Sequence, residues 1–267
     1  MQSEQTLRTV ESRVDQLLGV VQPSTLSETK RRHIIRHVCN IIADCFKNIG
    51  EVEAWVFGSV PLKAYLPDGD IDLSIFPGPG CEDSALPSIW APKLLARLQR
   101  EQSRPSGAVL RLQGTHIVQA ELRLLKCVVD DVVVDISFGA LGGLCTAAFL
   151  ESMDRSIGRD HLFKRSILLI KAWCFYEGRL LGAHHGLISS YALETMVLHV
   201  LHRHPMPHAS PLRVFHRFLE VFSDFDWDAC CLTLDGPVPL ADVVENGVEI
   251  GKLSCLHRDL CRSRSVS

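Results

Sequence analysis

Asp70 and Asp72, in the run Asp70-Ile-Asp72-Leu-Ser-Ile-Phe76, are the residues whose type and spacing most directly imply chemistry. The run alternates like a strand, and in a strand residues i and i+2 project from the same face. Two carboxylates held side by side require a shared proton or a cation. No arginine adjoins them in sequence, so a divalent metal is the economical partner. Hard oxygen ligands suit Mg²⁺ or Mn²⁺. A calcium loop starting at Asp68 is excluded, because its sixth and twelfth positions would be Leu73 and Pro79 rather than Gly and Glu.

Upstream, Gly58-Ser59 separates a β-rich run, Glu51–Phe57, from a short helical turn opened by Pro61. Such a junction aims backbone N–H groups and the positive end of a helix at an anion, most often phosphate. Gly58 allows close approach, and the Ser59 hydroxyl adds a hydrogen bond. A phosphate cradle shortly before a metal-binding pair implies a nucleoside triphosphate. A third carboxylate is then expected on a neighbouring strand. Asp135, within Val-Val-Val-Asp-Ile-Ser, qualifies, because a charge among such apolar neighbours is costly unless it meets a cation.

These residues need elements to hold them. Thr25-Leu-Ser-Glu28 reads as a capping box, and Ile34, Ile35, Val38, Ile41, Ile42, Cys45, Phe46 and Ile49 then recur with helical period until Gly50. The outer face of that helix carries Lys30, Arg31, Arg32 and Arg36, an ordinary wet face. Leu86–Gln102 predicts a second helix. Residues 108–138 read as strands ending in a hairpin, Leu124–Val129 and Val132–Phe138 about a turn at Asp130-Asp131. Beyond Gly139 the pattern turns helical over Leu144–Met153, Leu162–Leu181, Ile188–His202 and Leu212–Phe222, and Phe225–Gly251 is irregular. The expected fold class is α+β: a mixed sheet with helices over 51–140, plus a helical domain from 25–50 and 141–250. A cleft between the two and flexible ends at 1–24 and 258–267 complete that expectation.

The chain has 267 residues with 46% hydrophobic and 22% charged residues, which excludes a disordered, collagenous or coiled-coil protein. Net charge is −3, so nucleic acid is not held by bulk charge. Ten cysteines form no C-x-x-C pair and several sit in apolar segments, which predicts unpaired thiols in a reducing interior, cytoplasmic or nuclear. The start is charged and shows no secretory signal. No stretch free of Asp, Glu, Lys, Arg and His, Phe138–Leu150 included, reaches the roughly 20 residues that span a bilayer, so no membrane association is expected. His199, His202, His204 and His208 lack a carboxylate or cysteine to complete a metal set and read as a satisfied or solvated cluster; Cys255, His257 and Cys261 are equally weak.

Gly58-Ser59, Asp70-Ile-Asp72 and Asp135 together resemble the nucleotidyltransferase superfamily related to DNA polymerase β. The later runs Leu169-Ile-Lys171-Ala-Trp173 and Gly186-Leu-Ile-Ser-Ser190-Tyr191 look like the helical central domain of template-independent poly(A) polymerases and terminal uridylyltransferases, and the stretches 56–73 and 169–200 are most similar in wording to plant polymerase-sigma-like proteins. The resemblance covers roughly residues 25–240 and gives the sheet domain the name palm. It implies transfer of NMP from an NTP, ATP or UTP, to an RNA 3′ end by two-metal catalysis. Asp70 and Asp72 would bind both ions and Asp135 the one at the primer. By the same resemblance Ser59, Lys171 and Ser190 would contact the triphosphate and Tyr191 would stack on the base.

The sequence departs from that pattern in places. Phe175 stands where relatives carry a second lysine, with Arg179 one turn on, and Gly139-Ala140 and Cys145-Thr146 replace asparagines that follow the third carboxylate. The base-selecting segment of relatives is not placed before residue 267, which implies a fragment or short form. The low net charge predicts weak intrinsic RNA affinity, with a protein partner or a missing segment to deliver the RNA. Two other readings remain open at this point: an inactive nucleotide- or RNA-binding scaffold, and a primer-independent oligonucleotide synthase.

Overall fold

Alternation at period two builds a five-stranded sheet from β1 (Val52–Phe57), β2 (Ile71–Pro77), β3 (Leu112–Val118), β4 (Leu124–Val129) and β5 (Val132–Phe138), in the order β1-β2-β5-β4-β3. β2 and β5 run parallel, and the other neighbours are antiparallel. The computed structural model describes residues 2–79, 85–103, 110–118, 123–182 and 185–245. The chain divides into two units, Gly19–Ile157, and Met1–Leu18 with Gly158–Ser267.

In the first unit one face of the sheet is apolar. Ile71, Leu73, Ile75, Leu125, Cys127, Val129, Val134 and Ile136 pack there against Ile34, Val38, Ile42 and Phe46 of α2 (Thr25–Phe46) and Trp90, Leu94 and Leu98 of α4 (Leu86–Gln102). The sequence groups 25–50 with the later helices, but the apolar stripe of α2 closes the core of the sheet. Its capping box lies one residue earlier than expected, with Ser24 accepting from Ser27 N at 3.1 Å and Ser27 from Ser24 N at 3.0 Å. The hairpin forms as the sequence predicts. Asp130 and Asp131 at φ 46° and 63° supply the two left-handed residues of the turn.

Between β1 and β2 lies α3 (Ser59–Leu62), a single turn, and after β5 comes α5 (Leu141–Ile157).

In the second unit, α6 (Leu162–Ala172), α7 (Ser190–Arg203) and α8 (Pro211–Ser223) bury Phe163, Ile167, Ile170, Leu193, Val197 and Val214. The long helix expected over 162–181 instead widens after Ala172 into a π turn, Trp173–Glu177, where Gly178 N donates to Trp173 O at 2.8 Å. The segment expected to be irregular contains a hairpin, β6 (Cys230–Thr233) and β7 (Gly236–Pro239), followed by α9 (Leu240–Glu245). α1 (Gln2–Val21) is helical where the sequence implied a flexible end. Its Asp15 pairs with Arg165 at 2.8 Å, and its Glu11 accepts from Ser210 Oγ at 2.9 Å. The tail 258–267, with Cys255, His257 and Cys261, lies outside the described residues.

Candidate metal centre and nucleotide-binding residues

The face of the sheet opposite the α2–α4 core carries the polar side chains. Parallel pairing sets Asp72 beside Asp135, and two residues further on Ser74 beside Ser137. Asp70 sits one residue before β2 rather than within it. Even so, Asp70, Asp72 and Asp135 each offer a carboxylate oxygen, all within 4.8 Å of one another. The serines anchor the lane: Ser137 Oγ donates to Leu73 O at 3.1 Å, and Ala140 N donates to Ser74 Oγ at 2.9 Å.

Asp135 is 8% exposed, and its Oδ1 is buried with no hydrogen-bond partner. A buried, unpartnered carboxylate oxygen is costly, and native folds rarely tolerate one without a role. Beside two further carboxylates, its chemistry fits a hard divalent cation. Burial pushes the Asp135 carboxyl above the usual carboxylate range. Lys126 pulls it back, Asp70 raises it further and His116 lowers it slightly.

Lys126 is the site residue that sequence reading missed. Its Nζ lies 3.1 Å from Asp135 Oδ2. The signal was present, because Lys126 and Asp135 are equidistant from the Asp130-Asp131 turn and must therefore be direct partners across the hairpin. Neutralising charge reaches the acidic pair through pairing, not through sequence proximity.

Gly58 adopts φ 72°, and a Cβ there would collide with the Asp72 carboxylate. The close approach inferred for Gly58 is thus made first by Asp72. α3 is too short for a helix dipole to accumulate, so any anion there would meet local N–H groups. Ser59 is buried as the first residue of that turn, which Gly58 caps.

The loop delivering Asp70 is held by the first turns of α2. Arg31, expected on the wet face, is 3% exposed and lies 4.1 Å from the centre of the Tyr65 ring. Its guanidinium donates to Gly69 O at 2.5 Å and Pro67 O at 3.4 Å. Tyr65 and Ser27 share a hydroxyl hydrogen bond of 3.1 Å, and Lys63 pairs with Glu28 at 3.0 Å. Arg32 and Arg36 remain exposed.

Lys171, Ser190 and Tyr191 belong to the second unit. Lys171 is half-buried at the end of α6; burial pushes the Glu194 carboxyl on α7 above the usual carboxylate range, and the Lys171 charge offsets part of that rise. Ser190 is exposed at the start of α7, but the cap is Ser189, which accepts from Ala192 N at 3.0 Å. Tyr191 is half-buried, and burial raises its phenol. Phe175 lies exposed in the π turn, edge-on to Tyr176 with centroids 5.0 Å apart. His199 is buried and donates from Nδ1 to Thr233 O at 2.8 Å, a satisfied core histidine. Among the described residues all seven cysteines are free, and no helix is long and apolar enough to cross a membrane.

With this geometry established, comparison with known proteins places the fold. Residues 157–261 match the family model of the PAP/OAS1 substrate-binding domain. No curated protein matches the chain. Among solved structures, Cid1, with RNA terminal uridylyl transferase activity, superposes with a TM-score of 0.69 at 18% identity, over 90% of this chain and 80% of that one. The Cid1 poly(U) polymerase bound to MgGTP gives 0.70 at 17%, over 90% and 81%. A cytoplasmic RNA terminal U-transferase gives 0.66 at 16%, over 87% and 78%. The chain therefore has the nucleotidyltransferase fold, an α+β architecture with a five-stranded mixed sheet.

Proposed function

We propose that the chain is a template-independent RNA nucleotidyltransferase, adding NMP from an NTP to RNA 3′ ends. The observation that carries this reading is the convergence of one carboxylate oxygen each from Asp70, Asp72 and Asp135 within 4.8 Å of one another. The shared fold and the PAP/OAS1 match support it. In this reading the three aspartates hold Mg²⁺ or Mn²⁺. Bound there, divalent ions supply a lowered pKa for an attacking hydroxyl and positive charge for departing pyrophosphate.

The protein's own groups do the rest. Gly58 lets Asp72 sit against the backbone, and Ser59 with the neighbouring N–H groups meets a phosphate. Lys171 and Ser190 are assigned to the triphosphate and Tyr191 to stacking on the base. Structures of Cid1 in complex with a UTP analogue and with its short product ApU support an NTP and an RNA end as partners here. In this reading the chain is a relative of plant polymerase-sigma-like proteins, on the wording of residues 56–73 and 169–200. Unpaired cysteines fit a reducing interior, cytoplasm or nucleus. An RNA-delivering protein fits the net charge of −3.

The test is incubation with Mg²⁺ or Mn²⁺, each labelled NTP, and RNA with a free or blocked 3′-hydroxyl. A ladder on the free primer only, strongest with ATP or UTP, supports the reading. Nucleotide binding without turnover identifies a scaffold of the same fold, and short products made without primer identify an oligonucleotide synthase.

A further inference from the structure

The Lys126–Asp135 pair does more than neutralise charge. Lys126 Nζ engages Oδ2 of Asp135 at 3.1 Å, while Oδ1 of the same carboxylate is buried and partnerless. The two oxygens of one ligand are thus chemically distinct before any cation arrives. Strand register enforces the distinction, because Lys126 and Asp135 are direct partners across the β4–β5 hairpin. The Asp135 side chain is 11% exposed and that of Lys126 35%, so the ion pair lies at the edge of the sheet surface rather than in open solvent.

We propose that Lys126 is a positioning residue that reserves Oδ1 of Asp135 for the metal, restricts that carboxylate to one ligand atom, and so makes the site select small octahedral cations over Ca²⁺. This rests on the metal-centre reading above. Mg²⁺ requires near-ideal octahedral geometry with few protein ligands, whereas Ca²⁺ accepts six to eight oxygens and readily takes both from one carboxylate. Holding one oxygen on an ammonium removes the bidentate option and leaves the monodentate one intact. Such outer contacts commonly change metal affinity by about 10–100-fold.

Loss of a positive charge beside the site would tighten every divalent cation alike, so absolute affinity is not diagnostic. The ratio of Mg²⁺ to Ca²⁺ affinity is. Mn²⁺ binding to the full chain is followed by electron paramagnetic resonance, with Mg²⁺ and Ca²⁺ as competitors, in wild type, Lys126→Met and Lys126→Gln. Lys126→Met is expected to shift the ratio towards Ca²⁺ by about tenfold. Lys126→Gln, uncharged and shorter, shifts it the same way by less, and carries the test alone if the methionine variant does not fold. An unchanged ratio in a folded variant overturns the proposal while leaving the metal centre standing. Failure of the wild type to bind Mn²⁺ removes the metal centre itself, and this inference with it.

Discussion

Asp72 and Asp135 are register partners in the parallel β2–β5 pair, so strands far apart in sequence set two carboxylates side by side on one face of the sheet. The opposite face is apolar core, which fixes the register: a one-residue slip would move the aspartates into the core and Leu73 and Ile136 out of it. The acidic site is therefore held by the same hydrophobic pattern that folds the unit.

Gly58 is the first point at which this arrangement can be tested. An alanine there combines the strain of a positive-φ extended backbone, about 1–3 kcal/mol, with a collision against the Asp72 carboxylate. Gly58→Ala is expected to lower the thermal midpoint modestly in chelator and to weaken Mn²⁺ binding by about tenfold or more. Calorimetric titration alongside thermal melts measures both; unchanged Mn²⁺ affinity would contradict the placement of Asp72.

Arg31 tests the support of Asp70. Its buried guanidinium holds the carbonyls of Pro67 and Gly69 and packs on Tyr65. Arg31→Met is expected to cost about 1–3 kcal/mol in urea unfolding, the range for hydrogen bonds to a charged group. Amide exchange should also accelerate across 66–70. An effect confined to RNA affinity, with stability intact, would restore Arg31 to the solvated face that the sequence suggested.

His199 gives a pH dependence. Burial holds its pKa below the ordinary value near 6.5, so the folded protein favours the neutral ring that donates to Thr233 O. Its stabilising contribution is complete above the unfolded pKa and is lost as pH falls through that value towards the folded one. Between pH 7.5 and 5.5 the wild-type thermal midpoint should fall further than that of His199→Gln. Parallel pH curves for the two proteins would show that His199 does not titrate with unfolding.

Local signals made much of the fold legible. The period-two run at Ile71–Phe76, the helical stripe from Ile34 to Phe46 and the Asp-Asp turn at 130–131 each locate an element close to where it stands. Misses arise where one signal masks another. Polar composition hid α1, although Leu18 and Val21 are buried, and the apolar run through Trp173 concealed the widening into a π turn. Arg31 looked solvated because its partners Tyr65, Pro67 and Gly69 lie in a distant loop. Lys126 was one counting step from discovery, since hairpin symmetry about a known turn names its partner.

The central claim is that the three aspartates carry nucleotidyl transfer. Its most direct test is the rate at which the full chain extends an RNA 3′-hydroxyl with labelled NTP, comparing wild type with Asp135→Asn at saturating Mg²⁺ and again with Mn²⁺. The account predicts measurable extension by wild type and a fall of about a thousandfold or more in the variant, roughly 4 kcal/mol of transition-state stabilisation. Extension at an undiminished rate by the folded Asp135→Asn chain would contradict it.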